Sequence, residues 1–90
     1  MMTIKNIVQT CGACPTQWEG TLEDGRMFYI RYRWGHLSIK VSPEETTDVV
    51  DAIRGEEVYG EQLGGVYDGV LEYELLVPKM VKAGFKFITI

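Results

Sequence analysis

The residues best equipped for chemistry lie between positions 29 and 40. Tyr29, Arg31 and Arg33 recur at every second position of the run 27–34, and Lys40 falls in the next alternating run, 37–41. Side chains two apart on a strand share a face. An arginine presents a fork of donors that matches a phosphate or carboxylate, and a plane that stacks on rings. Tyr29 supplies a ring beside it. The same face carries Gln17, Glu19, Thr21, Met27 and Ser38, while Trp34 and His36 stand at the hairpin end. The expected ligand-binding set is therefore Tyr29, Arg31, Arg33, Lys40, Gln17, Trp34 and His36. Its chemistry suits a small anionic, ring-containing ligand of nucleotide type. The competing account is a solvated sheet face whose charges protect against aggregation.

Cys11 and Cys14 form the other constellation. A redox dithiol wants its first thiolate at a helix N-terminus, whereas this pair precedes Pro15 and a strand. A zinc knuckle needs two further ligands, for which the chain offers only His36 with a carboxylate, or a second copy of itself. Two small residues shaping a tight turn need nothing further. A Cys14–His36 nucleophilic dyad would lack an orienting third residue and an oxyanion hole. The run from Gly60 to Gly69 holds four glycines but lacks the Gly-Lys-Ser/Thr ending of a phosphate loop. It reads as turn chemistry or as a flap over a ligand. Glu72 and Glu74 alternate on an exposed segment. No nucleophile–base pair or full metal set emerges, so no enzyme, metal or cofactor is expected.

The elements that must hold these residues follow from periodicity. Strands are expected over 3–9, 16–22, 27–34 and 37–41, with 11–15 as a turn. Glu23-Asp24-Gly25 fits a three-residue hairpin loop with Gly25 left-handed, which sets Trp18 opposite Ile30 and Gly20 opposite Phe28. Gly35-His36 fits a type II′ turn that pairs Trp34 with Leu37 and sets Arg31 opposite Lys40, a like-charge pair retained at a cost in stability. The apolar face then comprises Trp18, Leu22, Phe28, Ile30, Tyr32, Trp34, Leu37, Ile39 and Val41. Ser42, Pro43 and Glu45 spell a capped helix over 43–54, with Val49, Val50 and Ile53 inward and Gly55 as its stop. A loop is expected over 56–69. A second helix over 73–83 carries Tyr73, Leu76, Val77 and Met80 inward, with Pro78 kinking it or marking its start, and 85–90 closes as a strand. The order β-β-β-β-α-α-β predicts one α+β domain over 1–90, an antiparallel sheet of about five strands with both helices on its apolar face.

Ninety residues with 46% hydrophobic and 24% charged content exclude disorder and coiled coil. A net charge of −4 argues against a duplex nucleic-acid partner. The charge is uneven: five bases against three acids over 1–41, four against ten over 42–90. No stretch is long and apolar enough to span a bilayer and the N-terminus lacks signal-peptide grammar, so a cytoplasmic protein without a membrane partner is expected. Three functions compete: a non-enzymatic module binding a nucleotide-like anion, an interaction or inhibitor domain docking through the acidic helix or the basic sheet face, and a thiol-redox or zinc protein. The size and acidity would suit a phage- or bacterium-encoded sequestering factor, and a homodimer is plausible for a small sheet with one exposed face.

Overall fold

The computed structural model describes residues 2–13 and 15–87. In chain order its elements are β1 (Met2–Gly12), β2 (Thr16–Leu22), β3 (Met27–Arg33), β4 (His36–Val41), α1 (Val49–Ile53), β5 (Glu56–Gln62), α2 (Tyr73–Lys82) and β6 (Phe85–Phe87). All six strands join one sheet in the order β5-β4-β3-β2-β1-β6. Neighbours are antiparallel except β1 and β6, which run parallel. The fold is α+β, with a mixed six-stranded sheet in place of the expected five antiparallel strands. The sixth strand is β5, inside the span expected to be loop. An edge strand carrying Glu56, Glu57 and Glu61, it puts two adjacent, partly buried residues, Val58 and Tyr59, against the core at a register shift, so it leaves no apolar alternation to read. The chain then passes from this edge to the opposite one, carrying α2 before laying β6 beside β1.

The β2–β3–β4 meander forms because its residues alternate. Trp18, Leu22, Phe28, Ile30, Tyr32, Leu37, Ile39 and Val41 are buried and their neighbours partly or fully exposed. Gly25, at φ 91°, turns the first hairpin, and Leu22 N donates to Arg26 O at 2.8 Å. Trp18 pairs with Ile30 and Gly20 with Phe28, as expected. Gly20 is needed there: a Cβ would lie 2.1 Å from Asn6 O and 2.6 Å from Phe28 Cζ.

The second hairpin corrects the expectation. Arg33 pairs with His36, Tyr32 with Leu37 and Ile30 with Ile39, so the turn residues are Trp34 and Gly35. Their φ values of 58° and 71° are the double left-handed signature of a type I′ turn, whose twist matches that of the strands. Trp34 consequently leaves the apolar face and is 57% exposed. The pairing moves by two residues, so every other side chain keeps its face. The opposition of Arg31 and Lys40 disappears: Arg31 faces Ser38, and Lys40 faces Tyr29.

The helix over 43–54 shrinks to α1, capped by Asp48, whose side chain accepts from Val50 N at 3.0 Å. The buried Ser42 hydroxyl is engaged elsewhere, accepting from Met27 N at 3.0 Å and donating to Glu44 O at 2.8 Å. Thr46 N reaches Gly25 O at 3.1 Å. Tertiary bonds to the first hairpin thus outcompete the local capping box. Val50 and Ile53, expected inward, are 41% and 39% exposed, and only Ala52 is buried.

Helix α2 matches its expected span and continues through Pro78, ending before Gly84 at φ 102°. Leu76 and Met80 join the core cluster with Leu71, Ile4 and Phe85, and Tyr73 meets Trp18 with ring centroids 6.5 Å apart. Tyr73 itself is 40% exposed. No residue of α1 belongs to that cluster, and Ile53 stands beside polar-face side chains. The expectation that both helices lie over the apolar face fails for Ile53, while Leu76 and Met80 of α2 share the core cluster. Of the closing strand, residues 85–87 are β6, and 88–90 lie outside the described residues.

Candidate functional site

On the polar face of the meander the register builds rows: Gln17, Arg31 and Ser38 across one line, Glu19, Tyr29 and Lys40 across the next. At the hairpin end Arg33, His36 and Gln62 are cross-strand neighbours. Between these rows and the C-terminal end of α1 lies a groove of about 350 Å3. Six of the seven expected residues line it: Tyr29, Arg31, Arg33, Trp34, His36 and Lys40. Gln17 stands behind Tyr29, donating from Nε2 to the phenolic oxygen at 2.5 Å. Ser38, Ile53 and Gln62 complete the wall.

Three cations line the groove, and an acid, Glu57, stands at its rim, across the β4–β5 ladder from Lys40. Lys40 Nζ donates to the Ile53 carbonyl at 3.4 Å, and both residues line the groove. The Arg33 guanidinium carbon sits 4.8 Å from the centre of the Trp34 ring, a cation–π contact that holds both in place. Arg31 is exposed, and Arg33 and Lys40 are half-buried. Among the described residues, no carboxylate lies within 4.0 Å of any of the three; the ion pairs are Arg26–Asp24, His36–Glu57 and Lys79–Glu61. The acid at the rim is Glu57 of β5, which accepts from Ser38 Oγ at 2.7 Å and lies 3.8 Å from His36 Nε2. Neither Glu57 nor Gln62 could be placed here while 56–69 was read as loop.

The glycine-rich run is built into the wall beside the hairpin turn. Gly35 N donates to Asp68 O at 2.7 Å, Leu63 N to Gly35 O at 2.7 Å, and Gln62 Nε2 to Trp34 O at 2.8 Å. A Cβ on Gly35 would lie 2.2 Å from Gly64 O, so only glycine permits this approach. Two buried groups fasten the run to the sheet. Tyr32 donates to Asp68 Oδ2 at 2.6 Å, and the fully buried Thr16 hydroxyl donates to Gly69 O at 2.8 Å while accepting from Leu71 N at 3.2 Å. Burial first, and then the Asp68 carboxylate, push the Tyr32 hydroxyl up to about 12. Sequence reasoning assigned neither residue such a role. Thr16 offered no signal, but a tyrosine within an otherwise apolar strand face needs a partner for its hydroxyl, and that clue was present.

The remaining candidates stay apart from the groove. Cys11 Sγ lies 3.6 Å from Ala13 O, and Cys14, with the dyad or metal pair it would complete, lies outside the described residues. Among the described residues no three His, Cys, Asp or Glu side chains gather as metal ligands, and no helix is long and apolar enough to cross a membrane. The acidic docking helix loses its element, since Glu44 and Glu45 precede the five-residue α1. Compared with protein-family models, curated proteins and solved structures, the chain matches none.

Proposed function

We propose that this chain is a non-enzymatic binding module that captures a small anionic, ring-containing ligand of nucleotide type in the groove of β3 and β4. One observation carries the reading. Three cations, Arg31, Arg33 and Lys40, line the groove with no carboxylate within 4.0 Å among the described residues, beside the rings of Tyr29 and Trp34. Cations unneutralised by the protein remain available to an incoming anion, and arginine grips phosphate with two parallel bonds. At about 350 Å3 the groove lies near the lower end of the range of small-molecule sites, roughly 300–1,000 Å3. The ligand is therefore compact.

Calorimetric titration with a panel of linear and cyclic nucleotides tests this. Arg31→Ala and Arg33→Ala should each weaken binding by roughly tenfold or more, the scale of a charged hydrogen bond. Melting temperatures should hold nearly constant, since neither residue belongs to the core. A wild-type protein that gives neither heat nor thermal shift with any member of the panel would remove the reading.

A further inference from the structure

Arg33 and Trp34 form a ridge with a hollow on each side. One is the basic groove. The other is a cleft of about 80 Å3 between the ridge and the loop residues Val66, Tyr67 and Asp68. Trp34 is 57% exposed, Val66 62% and Tyr67 93%. The loop that presents Tyr67 is tied down at the next residue, because Asp68 O accepts from Gly35 N, Asp68 N donates to Gly65 O at 3.0 Å and the Asp68 carboxylate accepts from Tyr32. A nearly bare aromatic ring on an anchored backbone, next to a second exposed aromatic ring, is a surface awaiting a flat apolar partner.

Size and charge then assign the two hollows different roles. The cleft is far below the roughly 300 Å3 of a self-sufficient ligand site, so it can serve only as an extension of the groove with which it shares Arg33 and Trp34. An anion in the cleft would meet the Asp68 carboxylate, whose oxygens are already engaged by Tyr32 and Val70 N. A neutral ring would not be repelled. An anion in the groove meets Arg31 and Lys40 as well as the shared Arg33, with no carboxylate within 4.0 Å of them among the described residues.

We infer that the two hollows are subsites for one nucleoside phosphate. Its base stacks in the Trp34–Tyr67 cleft, its sugar crosses the Arg33 ridge, and its phosphates lie against Arg31 and Lys40. This rests on the binding reading above and adds to it which end of the ligand goes where. The base is recognised by stacking, so the site tolerates different bases and requires that one be present.

ATP and inorganic tripolyphosphate, which share a phosphate chain and differ in the nucleoside, separate the alternatives by calorimetry and tryptophan fluorescence, and the Tyr67 variants assign the difference to the base. Trp18 is buried and Trp34 exposed, so quenching reports the ridge. ATP should quench and tripolyphosphate should not. Tyr67→Ala should weaken ATP roughly tenfold, the scale of one lost stacking partner, and leave tripolyphosphate unchanged. Tyr67→Phe should restore ATP binding, and Arg31→Ala should weaken both probes. Tyr67 is too exposed for its replacement to unfold the chain. Equal ATP affinity in wild type and Tyr67→Ala overturns the subsite assignment while leaving the binding reading intact, as does tripolyphosphate binding as tightly as ATP. If neither probe binds the wild type, this assignment falls, and the binding reading falls with it only if no other member of the nucleotide panel binds.

Discussion

The bond from Tyr32 to Asp68 is the point where the buried sheet controls the wall of the candidate site, and Tyr32→Phe isolates it. The substitution removes one hydroxyl and leaves the ring, so the packing of a side chain only 2% exposed is preserved. The lost bond is charge-assisted and 2.6 Å long, a kind worth about 1.5–3 kcal/mol. Asp68 is half-exposed and keeps its contact with Val70 N, so water can take the vacated oxygen and the loss falls at the lower end, about 1.5 kcal/mol. For a domain of this size that lowers the melting temperature by roughly 6–12 °C. The pH dependence gives a second, independent arm. The folded hydroxyl ionises at about 12 and the unfolded one at 10.0. Between those values the unfolded chain has released a proton that the folded chain still holds, so wild-type stability falls as pH rises through the window. At pH 11 the loss from this group is about 1.4 kcal/mol. Tyr32→Phe lacks it, and other titrations are common to both proteins. Urea denaturation at pH 8 and pH 11 should therefore show a wild-type advantage of about 1.5 kcal/mol shrinking to near zero. An advantage below about 0.5 kcal/mol at pH 8, or one that stays constant to pH 11, refutes the account of this bond.

Thr16→Val keeps the shape of the buried side chain but orphans Gly69 O and Leu71 N; chemical denaturation should show a cost of about 2–4 kcal/mol, and a cost under about 1 kcal/mol would mean the loop is fastened elsewhere. Gly35→Ala combines φ 71° with a Cβ 2.2 Å from Gly64 O; it should cost about 2 kcal/mol or more and raise the fluorescence mobility of Trp34, the preceding residue of the turn. The Glu61 carboxyl is held below its ordinary value first by the Tyr59 hydroxyl and then by Lys79, whose Nζ lies 2.9 Å away. Its stabilising contribution is present above the unfolded value of 4.5 and is lost as pH falls through the lowered one. Carbon-detected titration should show the Glu61 midpoint moving upward in Lys79→Met, and an unmoved midpoint would assign the shift to Tyr59 alone.

What could be read from the sequence was the part governed by period-two alternation and by local turn chemistry. Glu23-Asp24-Gly25 contains its own turn, so the β2–β3 register followed from those residues. The Trp34–Gly35 turn does not contain its own explanation. A left-handed tryptophan is held there by Gln62 and by the loop bonds of Gly35 to Asp68 and Leu63, all nearly thirty or more residues away, and local preference points to the Gly35-His36 pair instead. Ser42-Pro43-Glu44-Glu45 failed in the same way, since the partner of Ser42 is Met27 N on a neighbouring strand. Strand β5 was invisible because its core-packed residues, Val58 and Tyr59, are adjacent at a register shift and do not alternate.

The site was legible despite the misread turn because the error was two residues and not one. A shift of one exchanges the faces of a strand, whereas a shift of two restores them, so Tyr29, Arg31, Arg33 and Lys40 stayed together while their cross-strand partners changed. That changes the physical case for an anion. With Arg31 opposite Ser38, Lys40 is its diagonal neighbour, at the roughly 7–8 Å typical of such positions. Two positive charges at that distance in water repel by only about 0.5 kcal/mol before salt screening. The strain of opposed like charges, the reason the sequence offered for a bound anion, is therefore small. The stronger reason lies in a feature no strand pattern predicts: the acids of the C-terminal half, abundant enough to make the protein negative, are placed so that none within 4.0 Å neutralises Arg31, Arg33 or Lys40 among the described residues. On the proposed reading, three groove cations without such a partner would give a local positive field beside the aromatic rings, and at a concave face that field would favour a small anion despite the net charge, with Glu57 across the ladder from Lys40 opposing it.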